Sequence, residues 1–156
     1  MKPKVYIETT VVSYLVSWRN PDLIMAANQE ITKGWWEKRR NYDLYISDFV
    51  ISEASAGNPE AAEKRITALS DIPIIELTDE VELFALSLAK KIPLPKKARI
   101  DALHIAIATV GGMDYLLTWN CKHIANAALR SKIEIISRNS GYEPPVICTP
   151  QELWEA

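Results

Sequence analysis

Lys4-Val5-Tyr6-Ile7-Glu8 is a short apolar run that ends on an acid, and a helix-length pattern follows it directly. Tyr115-Leu116-Leu117-Thr118-Trp119-Asn120 repeats the arrangement, with Asn120 at the place of the acid. A third strand-like run, 42–46, comes shortly before Glu53, and Asp101 opens a long apolar helix whose only other polar side chains are His104 and Thr109. In open parallel sheets ligands collect at the carboxyl edge of the strands. Glu8, Glu53, Asp101 and Asn120 all stand where such a sheet builds its active site, and acids gathered at that edge point to a hard metal ion.

Working outward, strand signals fall at 5–8, 44–47, 72–77, 115–118 and 133–137, each rich in β-branched, Leu or Tyr residues. Helix-length patterns separate them. Asn20-Pro21 is a cap with proline at the first helical position, and Leu23, Ala27, Ile31 and Trp35 then form a ridge at four-residue spacing that predicts a helix to about Arg40. Gly57-Asn58-Pro59 ends one helix and opens another, with Ala62, Ile66 and Leu69 inward. Thr78-Asp79 begins a helix carrying Val81, Phe84, Leu88 and Ile92, which the prolines of Ile92-Pro93-Leu94-Pro95-Lys96-Lys97 stop. Pro144-Pro145 introduces a last extended piece before a closing turn or helix at 150–156. Strands alternating with helices, without hairpin turns, indicate βαβ units. The expected fold is α/β: a three-layer α/β/α sandwich with a mostly parallel central sheet, residues 1–156 forming a single domain.

The composition narrows the function. At 156 residues and 48% hydrophobic, the chain has enough apolar side chains for one sizeable core. A formal net charge of -2 excludes a uniformly basic nucleic-acid binder, so any contact with phosphates must be local. The opening Met1-Lys2-Pro3-Lys4 reads as no secretory leader, and the longest apolar segment, 102–113, is well short of the roughly 20 residues needed to cross a bilayer. A cytoplasmic protein without a membrane contact is expected. Cys121 and Cys148 read as reduced thiols, and with His104 and His123 they lack the paired spacing of structural zinc.

Two carboxylates about 4 Å apart repel by about 4 kcal/mol at an effective dielectric of 20, so three in one pocket protonate or take up a cation. Mg2+ or Mn2+ suits oxygen ligands, and either can polarise a phosphodiester and acidify a water for in-line attack. Taken singly, Asp101 is a first-turn acid favoured by the helix dipole, Glu53 a solvated helix residue, Glu8 a strand-end acid and Asn120 a helix cap. Their coincidence at one sheet edge is what carries the metal reading. His104 and His123 read as hydrogen-bonded core or rim residues, because metal-assisted hydrolysis does not require them. The acid-free stretch 90–99, with Lys90, Lys91, Lys96, Lys97 and Arg99, is a candidate phosphate guide, Lys96, Lys97 and Arg99 being nearest to Asp101. In Trp35-Trp36-Glu37-Lys38-Arg39-Arg40, Trp35 reads as core and Trp36 as a surface for another protein.

The blocks Tyr6-Ile7-Glu8-Thr9-Thr10-Val11-Val12-Ser13-Tyr14-Leu15, Ser47-Asp48-Phe49-Val50-Ile51-Ser52-Glu53, Arg99-Ile100-Asp101-Ala102-Leu103-His104-Ile105-Ala106 and Tyr115-Leu116-Leu117-Thr118-Trp119-Asn120, in that order, resemble the PIN domain family. Within it they are most similar to the VapC-like toxins of prokaryotic toxin–antitoxin systems. The resemblance implies a Mg2+- or Mn2+-dependent endoribonuclease that cuts an RNA substrate, is held inactive by a cognate antitoxin and forms a homodimer. Carried over by position, it makes Glu8, Glu53 and Asp101 the metal ligands and puts Asn120 at the fourth catalytic place, with the hydroxyls of Thr10 and Thr118 supporting the pocket. Two positions depart from the family pattern, Glu8 and Asn120 each standing where the family commonly has Asp. The second departure implies a less firmly held second metal, and Asn120→Asp is expected to leave cleavage intact or raise it.

Two other readings compete. A phosphatase or phosphoacceptor of similar architecture needs an aspartate nucleophile and a second acid two residues on, where this chain has Glu8 and Thr10. A protein of the same fold that binds RNA or an antitoxin with little or no cleavage is the stronger competitor, and Asn120 is its main support.

Overall fold

β1 (Lys4–Ile7) runs through the centre of the molecule, with Val5, Tyr6 and Ile7 fully buried, so both of its faces are covered. That is the environment of a central strand in a parallel sheet, and it explains the unbroken apolar run. The computed structural model describes residues 1–92, 95 and 98–154. β2 (Asp43–Ser47), β3 (Ile74–Ile75), β4 (Tyr115–Leu117) and β5 (Val146–Cys148) complete a five-stranded sheet in the order β3-β2-β1-β4-β5. Every pairing is parallel: Val5 lies opposite Leu44 on one side and Tyr115 on the other, Ile46 opposite Ile74, and Leu116 opposite Ile147.

From β1 the chain steps outward to β2 and β3, then returns across the sheet to β4 and β5, so the direction reverses between β1 and β4. Right-handed crossovers in opposite directions place the connecting helices on opposite faces. One packed group is α1 (Thr9–Val16), α2 (Leu23–Glu37), α3 (Asp48–Ala54) and α4 (Pro59–Leu69). The other is α5 (Asp79–Lys91), α6 (Arg99–Val110) and α7 (Ala127–Asn139). The expected three-layer arrangement is present, with a sheet that is wholly parallel.

The punctuation read from the sequence holds at two helices. Asn58 accepts hydrogen bonds from the backbone N of Glu60 and Ala61 ahead of Pro59, and Gly57 precedes it at φ 84°, a left-handed conformation that favours glycine. Thr78 accepts from Val81 N, and Val81, Phe84, Leu88 and Ile92 all point into the core.

Two expectations are corrected. The stretch 133–137 is not a strand but the middle of α7, capped by Asn126, whose side chain accepts from Ala128 N. Its isoleucines suggested β structure, yet Leu129, Ile133 and Ile136 recur at helical spacing against the core. The fifth strand comes instead from the extended piece after Pro144-Pro145. In α2 the cap is Asp22, accepting from Met25 N, while Asn20 accepts from Asp22 N one turn too early to start the helix. The helix therefore begins at Leu23 and ends at Glu37. Its inner face runs Ala26, Gln29, Thr32 and Trp35, leaving Leu23 80% exposed. Polar side chains serve inside because they are partnered: Gln29 ties down the preceding loop at Asn20 N and Trp18 O, and Thr32 receives the indole N–H of Trp119. Trp35 is core as expected, stacked on Tyr42 at 5.5 Å.

The helical account of α7 makes a direct test possible. A strand would put residues 133 and 135 on one face, whereas the helix buries Ile133 and leaves Ile135 60% exposed. Ile133→Ala is expected to cost about 2–5 kcal/mol in urea unfolding and Ile135→Ala less than about 0.5 kcal/mol.

Candidate metal centre

Glu8 follows the central strand at its carboxyl edge, its backbone N still bonded to Leu117 O of β4 at 3.0 Å. It lies at the point where the strand order reverses, and its side chain is only 3% exposed. Thr10, in the first turn of α1, and Thr118, just past β4, both donate hydroxyl hydrogens to Glu8 Oε1, at 2.5 and 2.6 Å. Each hydroxyl is fixed from behind by a backbone N–H, Trp119 N on Thr10 at 2.8 Å and Asn120 N on Thr118 at 2.9 Å. The supporting roles expected for Thr10 and Thr118 thus have a geometric basis.

Ser47 ends β2 and caps α3, which brings Glu53 round to face Glu8. Glu53 Oε1 accepts from Thr9 Oγ1 at 2.8 Å and from His104 Nε2 at 2.6 Å. His104 is completely buried on α6, and its other ring nitrogen lies 2.6 Å from the Tyr6 hydroxyl, which in turn lies 2.8 Å from Ser47 Oγ. The carboxylate fixes the direction of one of these bonds. Glu53 accepts, so His104 Nε2 carries hydrogen, and the imidazole joins Glu53 to the Tyr6 and Ser47 hydroxyls. Burial, above all, pushes the Tyr6 hydroxyl far up its scale, so it remains a donor.

Asp101 sits one turn before His104 on α6. Asn120 Nδ2 donates to its Oδ1 at 3.1 Å, and His123 Nδ1 lies 3.2 Å from its Oδ2. The carboxamide oxygen of Asn120 is turned the other way, accepting from His123 N at 3.0 Å. Arg99 is exposed at the start of the same helix, and Lys96 and Lys97 lie outside the described residues.

Glu8, Glu53 and His104 present ligand atoms within 4.8 Å of one another, a spacing that could hold a metal ion. Asp101 is outside that trio but close enough for the charges of His104 and Glu53 to act on it. Both ring nitrogens of His104 are already engaged, so the carboxylate oxygens are the better donors. Among the described residues, the ion pairs made by these acids are to histidines only, Glu53 with His104 and Asp101 with His123. Burial pushes the Glu8 carboxyl up despite His104 and the two threonines. Partial desolvation also pushes Glu53 up, but His104, by its bond and its charge, and the bond from Thr9 outweigh it and the net shift is downward. Asp101 is raised by burial, which His123, His104 and Asn120 only partly offset. A buried carboxyl, Glu8, beside the more exposed oxygens of Glu53 fits a divalent cation reached from the sheet edge.

Sequence reading missed His104, Tyr6, Ser47, Thr9 and His123 as parts of this site. Faint signals existed: Tyr6 shares a strand face with Glu8, and His104 and His123 stand three residues after Asp101 and Asn120.

No family model matches the chain, and no curated protein matches it in sequence. Its fold matches a chain in the crystal structure of VapBC2 from Rickettsia felis bound to a DNA fragment from their promoter, over 97% of this chain and 99% of that one. The TM-score is 0.56 at 16% identity. The fold is PIN-like. At the level of the fold, the resemblance read from the four sequence blocks is borne out. No helix among the described residues is long and apolar enough to cross a membrane.

Opposite pH dependences follow for the two glutamates. Glu8 is raised above the ordinary value of 4.5, so the folded state binds its proton more tightly than the unfolded chain does. Its contribution to stability is present below that value and lost as pH rises through the raised one. Glu53 is lowered, so its contribution is present above 4.5 and lost as pH falls through the lower value. In chelator, between about pH 4 and 8, the wild type should lose stability relative to Glu8→Gln as pH rises. Parallel urea-unfolding curves for the two proteins would refute a buried, strained carboxylate at position 8.

Proposed function

We propose that this chain is a Mg2+- or Mn2+-dependent endoribonuclease that hydrolyses RNA phosphodiester bonds, acting as the toxin of a toxin–antitoxin pair. The supporting observation is the convergence of Glu8, Glu53 and Asp101 from β1, α3 and α6 on the sheet's reversal point, with Glu8 and Glu53 oxygens within 4.8 Å and histidines as the only ion-pair partners described. The likeness to VapBC2 supports the toxin assignment and, with it, a cognate antitoxin; the resemblance of the four sequence blocks adds a homodimer, and a cytoplasmic setting and one domain over residues 1–156 complete the reading.

In this reading Glu8, Glu53 and Asp101 hold the ion, which when bound polarises the scissile phosphate and acidifies a water. The protein's own work is orientation. Thr10 and Thr118 fix one oxygen of Glu8, leaving the other for the ion, and Thr9 and His104 do the same for Glu53. Asn120, expected at the fourth catalytic place, steadies Asp101 through its amide hydrogen. Arg99, exposed two residues ahead of Asp101, and Lys96 and Lys97 before it supply positive charge for the RNA backbone.

Purified protein should cut RNA with Mg2+ or Mn2+ and stop with EDTA. Losing an outer partner of a metal site costs about 10–100-fold. Asp101→Asn and Glu53→Gln should therefore cost more than about 100-fold while the circular dichroism and thermal midpoint stay near wild type. Protein that binds RNA but leaves it uncut across Mg2+ and Mn2+ titrations would instead be a binding module.

A further inference from the structure

Asn120 replaces an acid, yet it is not an idle position. Its carboxamide is held in one orientation by two bonds, Oδ1 accepting from His123 N at 3.0 Å and Nδ2 donating to Asp101 Oδ1 at 3.1 Å. Flipping it would set oxygen against the carboxylate and NH2 against the backbone N–H, losing both bonds. The loop behind it is equally fixed, with Ile124 N and Ala125 N both bonded to Asn120 O at 3.2 and 2.8 Å. From the other side, His123 Nδ1 approaches Asp101 Oδ2 at 3.2 Å. The gap between Asp101 and Asn120 is therefore filled by the amide N–H of Asn120, the positive end of its dipole.

A second cation shared by these two side chains would need oxygen lone pairs in that gap and would meet hydrogens instead. We infer that the centre binds a single divalent ion, because the fixed Asn120 amide closes the second position beside Asp101. The inference rests on the metal-dependent reading above and deepens it. Glu8 supplies the buried side of the one site and Glu53 its more exposed side, Asp101 faces it from α6, and Asn120 and His123 are positioning residues. The amide and imidazole perform, from within the protein, the charge balancing that a second ion would give Asp101.

Ion counting tests this. Full-length protein stripped with EDTA and dialysed is titrated with Mn2+, free ion being followed by electron paramagnetic resonance and heat by calorimetry. The wild type should take up one Mn2+ per chain. Asn120→Asp keeps an oxygen for His123 N but sets a second carboxylate about where Nδ2 stands, 3.1 Å from Asp101. It should bind a second Mn2+, and added Mn2+ should raise its thermal midpoint more than the wild type's. Two ions in the wild type, or one ion in folded Asn120→Asp, would overturn the inference and leave the nuclease reading standing. No Mn2+ uptake by the wild type would overturn both. Because the wild-type count needs no variant, the test survives a failure of Asn120→Asp to fold.

Discussion

Glu8 carries a carboxyl group into the interior at the end of the central strand, where water cannot solvate it, and much of the surrounding structure answers to that. Hydrogen bonds to a charged group contribute about 1.5–3 kcal/mol each, so the hydroxyls of Thr10 and Thr118 recover a substantial part of the burial cost. They do not recover all of it, since the carboxyl remains pushed towards its neutral form. Such a group, left unbalanced in its own fold, weakens the fold and gives the site an arrangement that could hold a cation.

The parallel sheet explains how so many partners reach one place. β1 is flanked by β2 and β4, so the carboxyl ends of all three strands open on the same edge. Ser47 and Glu53 arrive from the β2 side, and Thr118, Asn120 and His123 from the β4 side. α6 lays Asp101 and His104 one turn apart beside them. The result is two carboxylate–imidazole pairs around a third acid. Glu53–His104 is anchored to the interior through Tyr6 and Ser47, and Asp101–His123 is anchored to the loop after β4. The first is wholly protein-bound at its histidine, while His123 remains partly exposed at the rim.

What the sequence disclosed divides along physical lines. Local rules sufficed for strand-end acids, for the caps at Asn58 and Thr78, and for the apolar spacing of α5, because each depends on neighbours a few residues away. They failed at 133–137, where a run of isoleucines obeys β preference in composition and helical periodicity in position, and the capping by Asn126 decided the matter. They failed again in α2, where buried Gln29 and Thr32 displaced the apolar ridge because distant groups satisfy them. The histidines were illegible for the same reason. His104 meets partners 51 and 98 residues away, and no pattern in its own helix announces them.

Those separations bear on synthesis as well as on architecture. Glu8 is among the first residues to leave the ribosome, but one of its two hydroxyl partners follows 110 positions later, and Asp101 and His104 are made only shortly before it. From Glu53 until Asp101 is made, the emerging polypeptide holds two acids of the centre without the third. The sheet edge that gathers these acids closes only when α6 and β4 dock beside β1, so a half-made chain carries the acids of the centre unassembled.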